Sequence, residues 1–421
     1  MPSFMTSGLD IAPKASWSGV KIEHALTAEA ALSFAQQDDM RVDALVEEGA
    51  TVAQGAPILK LRRHPEMVIT APVGGRVGHL ELGPGHRLSR VAIFHEEDAG
   101  RHRHDSALSA SSPQDIRQAL LGSGLWRQLR SRPYGRIPRT DETPAAIFVM
   151  ALDTRPYAPD PRQAIAGSET AFERGLHALR QLASEKLVLC QDRGPVMAEP
   201  SESLDITVIR SKPLHPWGLA GFQIHEHLPA SPTRAVWDIA AEDVAAIGEL
   251  LETGYLRETR LVGVAGSGLR EPRLVRCQPW ADLRGLSRGH LKPGQHSILS
   301  GSPLEGRPSR WLHERDRQVS VLDPAESPHR GHWFLSALRR ASRPLPLIPC
   351  ASVDQALGGA FPALSLLRAI SAGDREGAVR LGALSLLDED LSLADYVTCA
   401  EPRLSDLLHA MLRDIAAEEA A

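Results

Sequence analysis

The sequence contains few cysteines, no long apolar run and no excess of basic residues. Its four cysteines, Cys190, Cys277, Cys350 and Cys399, lie far apart and form no C-x-x-C pair. They are predicted to be reduced structural thiols, because their spacing does not provide the clustered ligands of an iron–sulfur centre. No apolar run approaches the roughly 18 residues that span a bilayer.

The charge and the N-terminus exclude further classes. A net charge of −5 gives no reason to expect a nucleic-acid partner. The first residues, Met1-Pro-Ser-Phe-Met-Thr-Ser7, lack the basic and apolar regions of a secretory signal. We therefore expect the chain to lie in the cytoplasm, or on the cytoplasmic side of a membrane as a peripheral protein.

The most apolar run of the 421 residues is Pro144-Ala-Ala-Ile-Phe-Val-Met-Ala-Leu152, which predicts a buried strand of a parallel sheet. Five arginines, one tryptophan and three prolines precede it, between Trp126 and Pro144. A rigid, cationic segment directly before a buried strand favours a surface that holds an anionic or planar partner. A solvated connector, with arginine stems packed over Trp126, is the alternative.

Short strands alternate with glycine turns in residues 42–80. This pattern looks like the biotinyl/lipoyl-type barrel-sandwich hybrid, which we assign to residues 1–105. In that family a lysine at a hairpin tip carries the prosthetic group, but here the position falls on His64, and Lys60 lies four residues out of register. Because imidazole cannot form the amide bond to biotin or lipoate, we expect a carrier fold without its cargo.

Helix and strand patterns alternate from residue 106 to residue 256 and predict a doubly wound, Rossmann-like α/β domain. One amphipathic helix, around residues 244–251, is predicted to end at Gly254. The candidate nucleotide fingerprint, Gly263-Val-Ala-Gly-Ser-Gly268, has the order G-x-x-G-x-G and is followed by Arg270-Glu-Pro272 where a helix should begin. Without a helix N-terminus a phosphate lacks aligned N–H groups, so we interpret this segment as a turn.

Two histidine-rich segments are weak candidates for a metal site. Residues 95–104 are polar and unpatterned, and we predict a linker there. In the segment from His215 to His227, Gly218 and Gly221 allow close backbone approach, but no carboxylate or cysteine stands at ligand spacing. A rigid loop with hydrogen-bonded histidines is preferred.

The remaining chain divides into a β-rich module and a helical region. Strand patterns among glycine and proline turns predict the β-rich module over residues 257–330. Short helical patterns, broken by glycines and by Asp388-Glu-Asp390, predict a helical region over residues 331–421. Its last helix, behind Pro402, carries an apolar stripe that fits either core packing or a partner's groove. The stripe consists of Leu404, Leu407, Leu408, Met411, Leu412 and Ile415.

Together these stretches resemble the A subunit of the Na+-translocating NADH:quinone oxidoreductase (Na+-NQR), a bacterial sodium-pumping respiratory complex. The resemblance runs nearly end to end. The motifs that carry it are Gly124-Leu-Trp-x-x-Leu-Arg130-x-Arg132-Pro133-x-x-x-Ile137-Pro138, Ala146-Ile-Phe-Val149, Asp153-Thr154, Asp160-Pro161, His215-Pro-x-Gly-Leu-x-Gly221-x-x-Ile-His225, Pro272-Arg-Leu274 and Ile298-Leu-Ser-Gly301.

The resemblance implies a multidomain α/β fold with four parts. They are a biotinyl/lipoyl-like barrel-sandwich domain, a Rossmann-like α/β domain, a β-grasp domain similar to soluble-ligand-binding (SLBB) domains, and a C-terminal helical region. It also implies a peripheral protein on the cytoplasmic face of the inner membrane that docks on the membrane-embedded, quinone-reactive B subunit. The complex would couple electron transfer from NADH to quinone with Na+ export.

The resemblance places the flavins, the iron–sulfur centre and the NADH site in partner subunits. We therefore assign no catalytic, cofactor-binding or metal-ligating residue, and expect no catalysis from the isolated chain; ubiquinone is the one ligand that could approach it. The residues assigned to a partner- or quinone-proximal surface are Trp126, Arg130, Arg132, His215 and His225.

Two departures from the family keep other functions open. The motif Cys-Pro-Gly-Lys followed by Glu-Tyr-Gly should fall near Tyr396-Val-Thr-Cys-Ala-Glu-Pro-Arg-Leu404 and is not reproduced, and the segment from about 323 to 348 is shorter than usual. One alternative is a free-standing quinone- or ligand-binding paralogue. Another is the C subunit of an Rnf-type complex, whose clusters four scattered cysteines cannot supply.

Overall fold

A computed structural model describes residues 8–11, 17, 19–33, 40–202, 204–324, 347–348 and 350–419. The strands are β1 (Ile22–His24), β2 (Glu29–Ser33), β3 (Val42–Ala44), β4 (Thr51–Val52), β5 (Pro57–Leu61), β6 (Val68–Thr70), β7 (Gly75–Gly83), β8 (Arg87–His95), β9 (Arg130–Arg132), β10 (Ala146–Ala151), β11 (Lys186–Gln191), β12 (Ile206–Arg210), β13 (Val236–Ala240), β14 (Arg260–Ala265), β15 (Arg273–Cys277), β16 (Ser297–Ser300), β17 (Arg307–Pro308) and β18 (Gln318–Leu322). The helices are α1 (Asp105–Leu108), α2 (Pro113–Ser123), α3 (Pro161–Ile165), α4 (Glu169–Leu182), α5 (Ala220–His227), α6 (Ala241–Thr253), α7 (Leu283–Ser287), α8 (Ala351–Ala356), α9 (Ala363–Ala372), α10 (Arg375–Arg380), α11 (Ser392–Thr398) and α12 (Leu404–Glu419).

The N-terminal domain has the predicted barrel-sandwich form. Its two sheets have the orders β2-β8-β7-β4 and β3-β5-β6. The hairpin between β5 and β6 carries His64 in its connection, where the carrier fold would place its lysine. This hairpin is tied to the next domain, because Met67 is buried in the core of the α/β domain and Glu66 is hydrogen-bonded to Thr140.

The second domain is an α/β layer built on the predicted apolar strand. Its sheet has the order β12-β11-β10-β13-β9, in which the first four strands are parallel and β9 runs antiparallel to β13. Both faces of β10 are buried, since α4 and α6 cover one face and α5 covers the other. Gly254 ends α6 with a φ of 76°, as predicted.

Helices α4 and α6 cross at two glycines. A Cβ on Gly248 would lie 1.7 Å from the carbonyl oxygen of Ala171, and a Cβ on Gly175 would lie 2.0 Å from that of Val244. No side chain fits at such distances. The two backbones therefore pack directly against each other, which brings the N-terminus of α6 to the carboxyl ends of the strands.

The third domain is a six-stranded sheet with the order β1-β15-β14-β18-β16-β17. The strands predicted near residues 261, 273 and 318 are present as β14, β15 and β18. Strand β1 lies within the range predicted for the first domain, yet it pairs in parallel with β15. The candidate fingerprint at Gly263–Gly268 is the end of β14 and a turn, as predicted, and the next regular element is β15 rather than a helix.

The C-terminal region is helical, as predicted, over its described residues from 350 to 419. The apolar stripe of α12 packs into this region's own core. Most of the segment predicted to be shortened, and residues 331–346 of the predicted helical region, lie outside the described residues. The predicted loop from His215 to His227 is wrong in its second half, where Ala220–His227 forms α5 against the sheet. In the described parts of the chain, no helix has the length and apolar character needed to cross a bilayer.

Candidate functional site

The carboxyl ends of β10 and β13 open on a cavity of about 220 Å³ between the α/β domain, the β-grasp domain and the helical region. In open α/β sheets this edge is where ligands bind. Charged side chains from all three parts line the cavity. They are the guanidinium groups of Arg130, Arg155, Arg315 and Arg317, and the carboxylates of Asp153, Asp238, Glu242, Asp243, Glu305, Asp316 and Glu389.

The N-terminus of α6 faces this cavity with its own carboxylates. Glu242 and Asp243 lie in the first turn and are 5% and 7% exposed. Arg317 of the β-grasp domain donates to both, with Nε 3.0 Å from Glu242 Oε2 and Nη2 2.7 Å from each oxygen of Asp243. Glu242 also accepts the backbone N–H of Leu261 at 2.8 Å. The N-terminus of α6, where an anion could bind at this edge of the sheet, is therefore filled by two acidic side chains.

A second ion pair closes the end of β10. Arg155 forms a fork on Asp153, with Nη2 2.5 Å from Oδ2 and Nε 3.0 Å from Oδ1. Its Nη1 lies 3.5 Å from Glu305 of the β-grasp domain. Burial opposes the ionisation of Asp153, but the attraction of Arg155 outweighs it and lowers the pKa of the carboxyl group. Burial raises the pKa of Glu305.

A third network joins the sheet to the helical region. Residues two apart on a strand point to the same face, so Arg130 and Arg132 of β9 both reach Asp238 of β13, at 3.0 Å and 3.1 Å. From the helical region, Glu389 accepts Arg130 Nη1 at 2.5 Å and Asp390 accepts Arg132 Nη1 at 2.8 Å. Two cations and three carboxylates thus meet at the domain boundary.

Burial and the neighbouring charges shift the pKa values of these carboxyl groups in different directions. Burial opposes the ionisation of Asp238, but Arg130 and Arg132 outweigh it and lower its pKa to about 2. The same two arginines overcome the effect of burial on Glu389 and lower its pKa. Burial dominates at Asp390, where Arg132 opposes it and Glu389 reinforces it, and the pKa rises to about 6. The network therefore contains one carboxyl group that holds its proton more tightly than the others.

The cavity does not fit a nucleotide. Its volume of about 220 Å³ lies below the roughly 300 Å³ at which drug-sized ligand pockets begin. More carboxylates than guanidinium groups line it, which disfavours a phosphate. The helix N-terminus that would receive the phosphate is neutralised by Glu242 and Asp243. The ion pairs that line the cavity join the α/β domain to the β-grasp domain and to the helical region.

Three of the five residues predicted for a partner-facing surface lie deep in the interior, and the first two of them are Trp126 and Arg132. Trp126 is 0% exposed, packs edge-to-face on Trp237 with ring centroids 5.2 Å apart, and donates from Nε1 to the Pro138 carbonyl at 2.9 Å. Arg132 is also 0% exposed. Their predicted place on a surface is wrong, because Trp126 packs into the core of the α/β domain and Arg132 is buried between Asp238 and Asp390. Arg130 remains partly exposed, at 19% of its side chain, and lines the cavity.

The two predicted histidines lie apart from the arginines. His215 is 2% exposed, and its Nδ1 is 3.2 Å from Thr154 Oγ1, so its predicted exposure is also wrong. Burial lowers the pKa of His215 to about 4. His225 is half-buried on α5 and stacks on Phe361 of the helical region at 3.9 Å. The interpretation of His215 as a hydrogen-bonded rather than metal-ligating histidine agrees with this geometry.

Sequence patterns missed the carboxylates that matter most here. They predict residues 388–390 only as a break between helices, whereas Glu389 and Asp390 supply two of the three carboxylates of the boundary network. They also give no role to Arg315 and Arg317. The available signal was the spacing Arg-x-Arg, which occurs at Arg130 and Arg132 and again at Arg315 and Arg317. On an extended segment this spacing places two guanidinium groups on one side.

Fold and site together define a multidomain protein with a Rossmann-like domain whose ligand-binding edge is occupied by its own ion pairs. Three domain models of one family match the chain. They are the NqrA N-terminal barrel-sandwich hybrid domain over residues 4–96, the NqrA second alpha/beta domain over residues 111–256, and the NQRA C-terminal domain over residues 261–310.

Full-length relatives agree with these matches. The A subunit of the Na(+)-translocating NADH-quinone reductase of Pasteurella multocida is 33% identical over 93% of this chain and 94% of its own length. The corresponding subunits of Photorhabdus laumondii and Shewanella amazonensis are 32% and 33% identical, over 90% and 85% of this chain and 91% and 86% of their own lengths. The chain belongs to the NqrA family, which is the A subunit of the Na(+)-translocating NADH-quinone reductase.

Among solved structures, a chain of the NAD+-reducing [NiFe]-hydrogenase in its air-oxidized state is similar at a TM-score of 0.41 and 13% identity. The match covers 73% of this chain and 64% of that chain. The H2-reduced state of the same enzyme matches at a TM-score of 0.40 and 12% identity, over 74% of this chain and 65% of that chain. Similarity at this level supports no conclusion about function.

Proposed function

We propose that this chain is a cofactor-free, peripheral component of a Na+-translocating NADH:quinone reductase, held on the cytoplasmic side by docking on the membrane-embedded B subunit. The names of its relatives support membership in such a complex. The fold supports a docking role, because the N-terminus of α6 is occupied by the chain's own ion pairs and the carrier position of the first domain is His64. The isolated chain is expected to catalyse nothing.

One observation carries this proposal, namely the closure of the carboxyl edge of the α/β sheet. An anionic ligand at this edge would be expected to use an open helix N-terminus, and the N-terminus of α6 faces the cavity. Here Glu242 and Asp243 hold Arg317 at that place. The carrier position in the first domain is likewise unsuited to a prosthetic group, since it is His64.

Of the five residues predicted to lie near the quinone, Arg130 and His225 remain candidates, because both side chains are partly exposed. A photoreactive ubiquinone analogue tests both candidates in the assembled complex. Labelling of the peptide that contains either residue would support a quinone-proximal position. Labelling confined to other subunits would contradict that position and leave the docking role intact.

Reconstitution tests the docking role. A complex prepared without this chain is expected to oxidise NADH with an artificial acceptor, but to lose quinone reduction coupled to Na+ uptake. Adding the purified chain should restore both in proportion to the amount bound. Stoichiometric flavin absorbance in the purified chain, or NADH binding to it by calorimetry, would overturn the cofactor-free proposal.

The same experiment separates the two alternatives. A free-standing ligand-binding paralogue would neither bind the membrane subunits nor restore their activity. The C subunit of an Rnf-type complex would carry cluster absorbance. Cys190 and Cys277 are both buried in hydrophobic cores of separate domains, which does not favour a shared cluster.

A further inference from the structure

A groove of about 1090 Å³ lies open where the barrel-sandwich, α/β and β-grasp domains meet. We call it the junction groove. Its charged lining is mainly basic, although the whole chain has a net charge of −5. The lining contains Arg90, Arg127, Arg130, Arg307, Arg310 and Arg315, against Glu81, Glu314 and Asp316.

One wall of the junction groove is the irregular segment that follows β17. Arg307 stands at its start with 66% of its side chain exposed, and Asp388 is 4.0 Å away. Arg310 follows with 43% of its side chain exposed; its guanidinium group lies 4.4 Å above the ring of Trp311, and its Nη2 donates to Glu29 Oε2 at 2.6 Å. Both groups are accessible to a partner that enters the groove.

Arg315 ends this wall, and its hydrogen bonds go to backbone carbonyls rather than to carboxylates. Its Nη2 donates to the carbonyl oxygens of Arg127 and Leu129, at 3.0 Å and 2.5 Å. Within the described residues, no carboxylate oxygen lies within 4.0 Å of it. Its Nε and Nη1 make no hydrogen bond to a described residue and are not fully buried. Burial lowers the pKa of Arg315 to about 10, and it remains charged at neutral pH.

Arg315 lines both the junction groove and the cavity at the sheet edge, as do Arg130 and Asp316. Arg130 is neutralised by Asp238 and Glu389. Arg315 is therefore the guanidinium group at this meeting point that still offers a fork of donors to an incoming carboxylate.

The shape of the junction groove favours a polypeptide over a bilayer surface. It is concave and enclosed by three domains, so a flat layer of lipid headgroups cannot reach Arg315 at its end. Apolar side chains such as Met40 and Ile137 alternate with the basic ones. An extended chain with spaced carboxylates and apolar residues matches this lining, whereas a densely charged polyanion would meet Glu81 and Glu314.

We propose that the junction groove docks an extended acidic segment of a membrane-embedded partner, with one of its carboxylates in the fork of Arg315. The proposal rests on the docking function above and deepens it by naming the surface and the chemistry of the partner. Arg307 and Arg310 steer and hold the same segment along the wall.

The test measures binding of the full chain to the detergent-solubilised remainder of the complex. The variant Arg307→Glu/Arg310→Gln is expected to raise Kd about tenfold, mainly through slower association, and to weaken its salt dependence. Arg284→Glu/Arg288→Gln makes the same charge change at exposed positions of the same domain and should bind within about twofold of the parent chain. Arg315→Gln should dissociate about tenfold faster, and Arg315→Lys should recover part of the loss.

The outcomes distinguish this inference from the docking function. If the parent chain does not bind the remainder, the docking function itself fails. If the parent chain binds, and both groove variants bind like the Arg284/Arg288 control, docking stands and the junction groove is not the site. Binding to vesicles that contain phosphatidylglycerol is measured in parallel. If the groove variants lose binding to these vesicles but bind the remainder of the complex normally, the groove contacts lipid and this proposal is overturned. Thermal melting of each variant separates lost binding from lost folding.

Discussion

Asp390→Asn tests the charge network at the boundary between the sheet and the helical region. Asp390 is 1% exposed, accepts Arg132 Nη1 at 2.8 Å and accepts the backbone N–H of Leu387 at 2.8 Å. Its other oxygen has no partner within the described residues. Gly221 packs against this carboxyl group so closely that a Cβ there would lie 2.2 Å from Oδ2. The carboxyl group therefore cannot relax toward water.

The magnitude follows from the pKa of Asp390, which burial raises from 3.8 to about 6. The folded chain binds a proton that the unfolded chain releases between these two values. Its contribution to stability is thus fully present below about pH 4 and is lost as the pH rises through about 6. Two pH units at about 1.4 kcal/mol each amount to about 3 kcal/mol.

Asparagine imitates the protonated acid at every pH, and it leaves Asp238 and Glu389 to balance Arg130 and Arg132. The free energy of unfolding of Asp390→Asn, relative to the parent chain, is therefore expected to improve as the pH rises. About half of these 3 kcal/mol should appear between about pH 5 and about pH 8.

Urea unfolding, followed by tryptophan fluorescence across that pH range, measures this difference. Trp217 is 1% exposed and packs in the core of the helical region, so it reports the unfolding of this part of the chain. Asp406→Asn removes an exposed carboxylate from α12 and controls for the change in net charge. A difference that does not change with pH, or that shrinks as the pH rises, would refute the reasoning.

The remaining predictions concern packing and the carrier position. Arg132→Met should lower the free energy of unfolding by about 3–5 kcal/mol, because it leaves buried carboxylates without a cation. Arg139→Met removes only an exposed ion pair and should change the free energy of unfolding by no more than about 1 kcal/mol. Thermal unfolding of both variants and the parent chain measures the difference. Gly248→Ala should lower the free energy of unfolding by about 1–3 kcal/mol or more, because its Cβ would lie 1.7 Å from a carbonyl oxygen of α4. Gly122 has open space around it, so Gly122→Ala should leave the free energy of unfolding unchanged or raise it by up to about 1 kcal/mol. His64→Lys should remain unmodified when co-expressed with a biotin ligase, because its hairpin is packed on the α/β domain; a streptavidin blot that detects biotin would contradict this.

Local patterns were sufficient where a segment's own residues determine its structure. The run from Pro144 to Leu152 is β10 because unbroken apolar residues bury both faces of a strand, and Gly254 ends α6 because it adopts a positive φ without strain. The same patterns failed at Ala220–His227, where glycine suggested a loop. Tertiary packing decides there, since Phe222 and Ile224 are 0% exposed and hold the helix in place.

Long-range pairing was out of reach of any pattern in the sequence. Arg132 and Asp390 are 258 residues apart, and β1 joins a sheet partner some 250 residues later. An arginine reveals neither which carboxylate it meets nor whether it will be buried. This is why Arg130 and Arg132, which lie on β9, were interpreted as a partner-facing surface, and why their acidic partners Glu389 and Asp390 were taken for a helix break.

Ion pairs at the sheet edge join the α/β domain to the β-grasp domain and to the helical region, and this explains why the edge retains charge without a ligand. Buried ion pairs add little net stability compared with apolar packing, yet breaking one is costly, so they favour one arrangement of the domains over others. Arg317 fixes the β-grasp domain and Asp390 fixes the helical region against the same sheet. A junction groove between domains held in this way is formed before its partner arrives. Only the extended segment that enters the groove then loses conformational freedom, which lowers the entropic cost of docking.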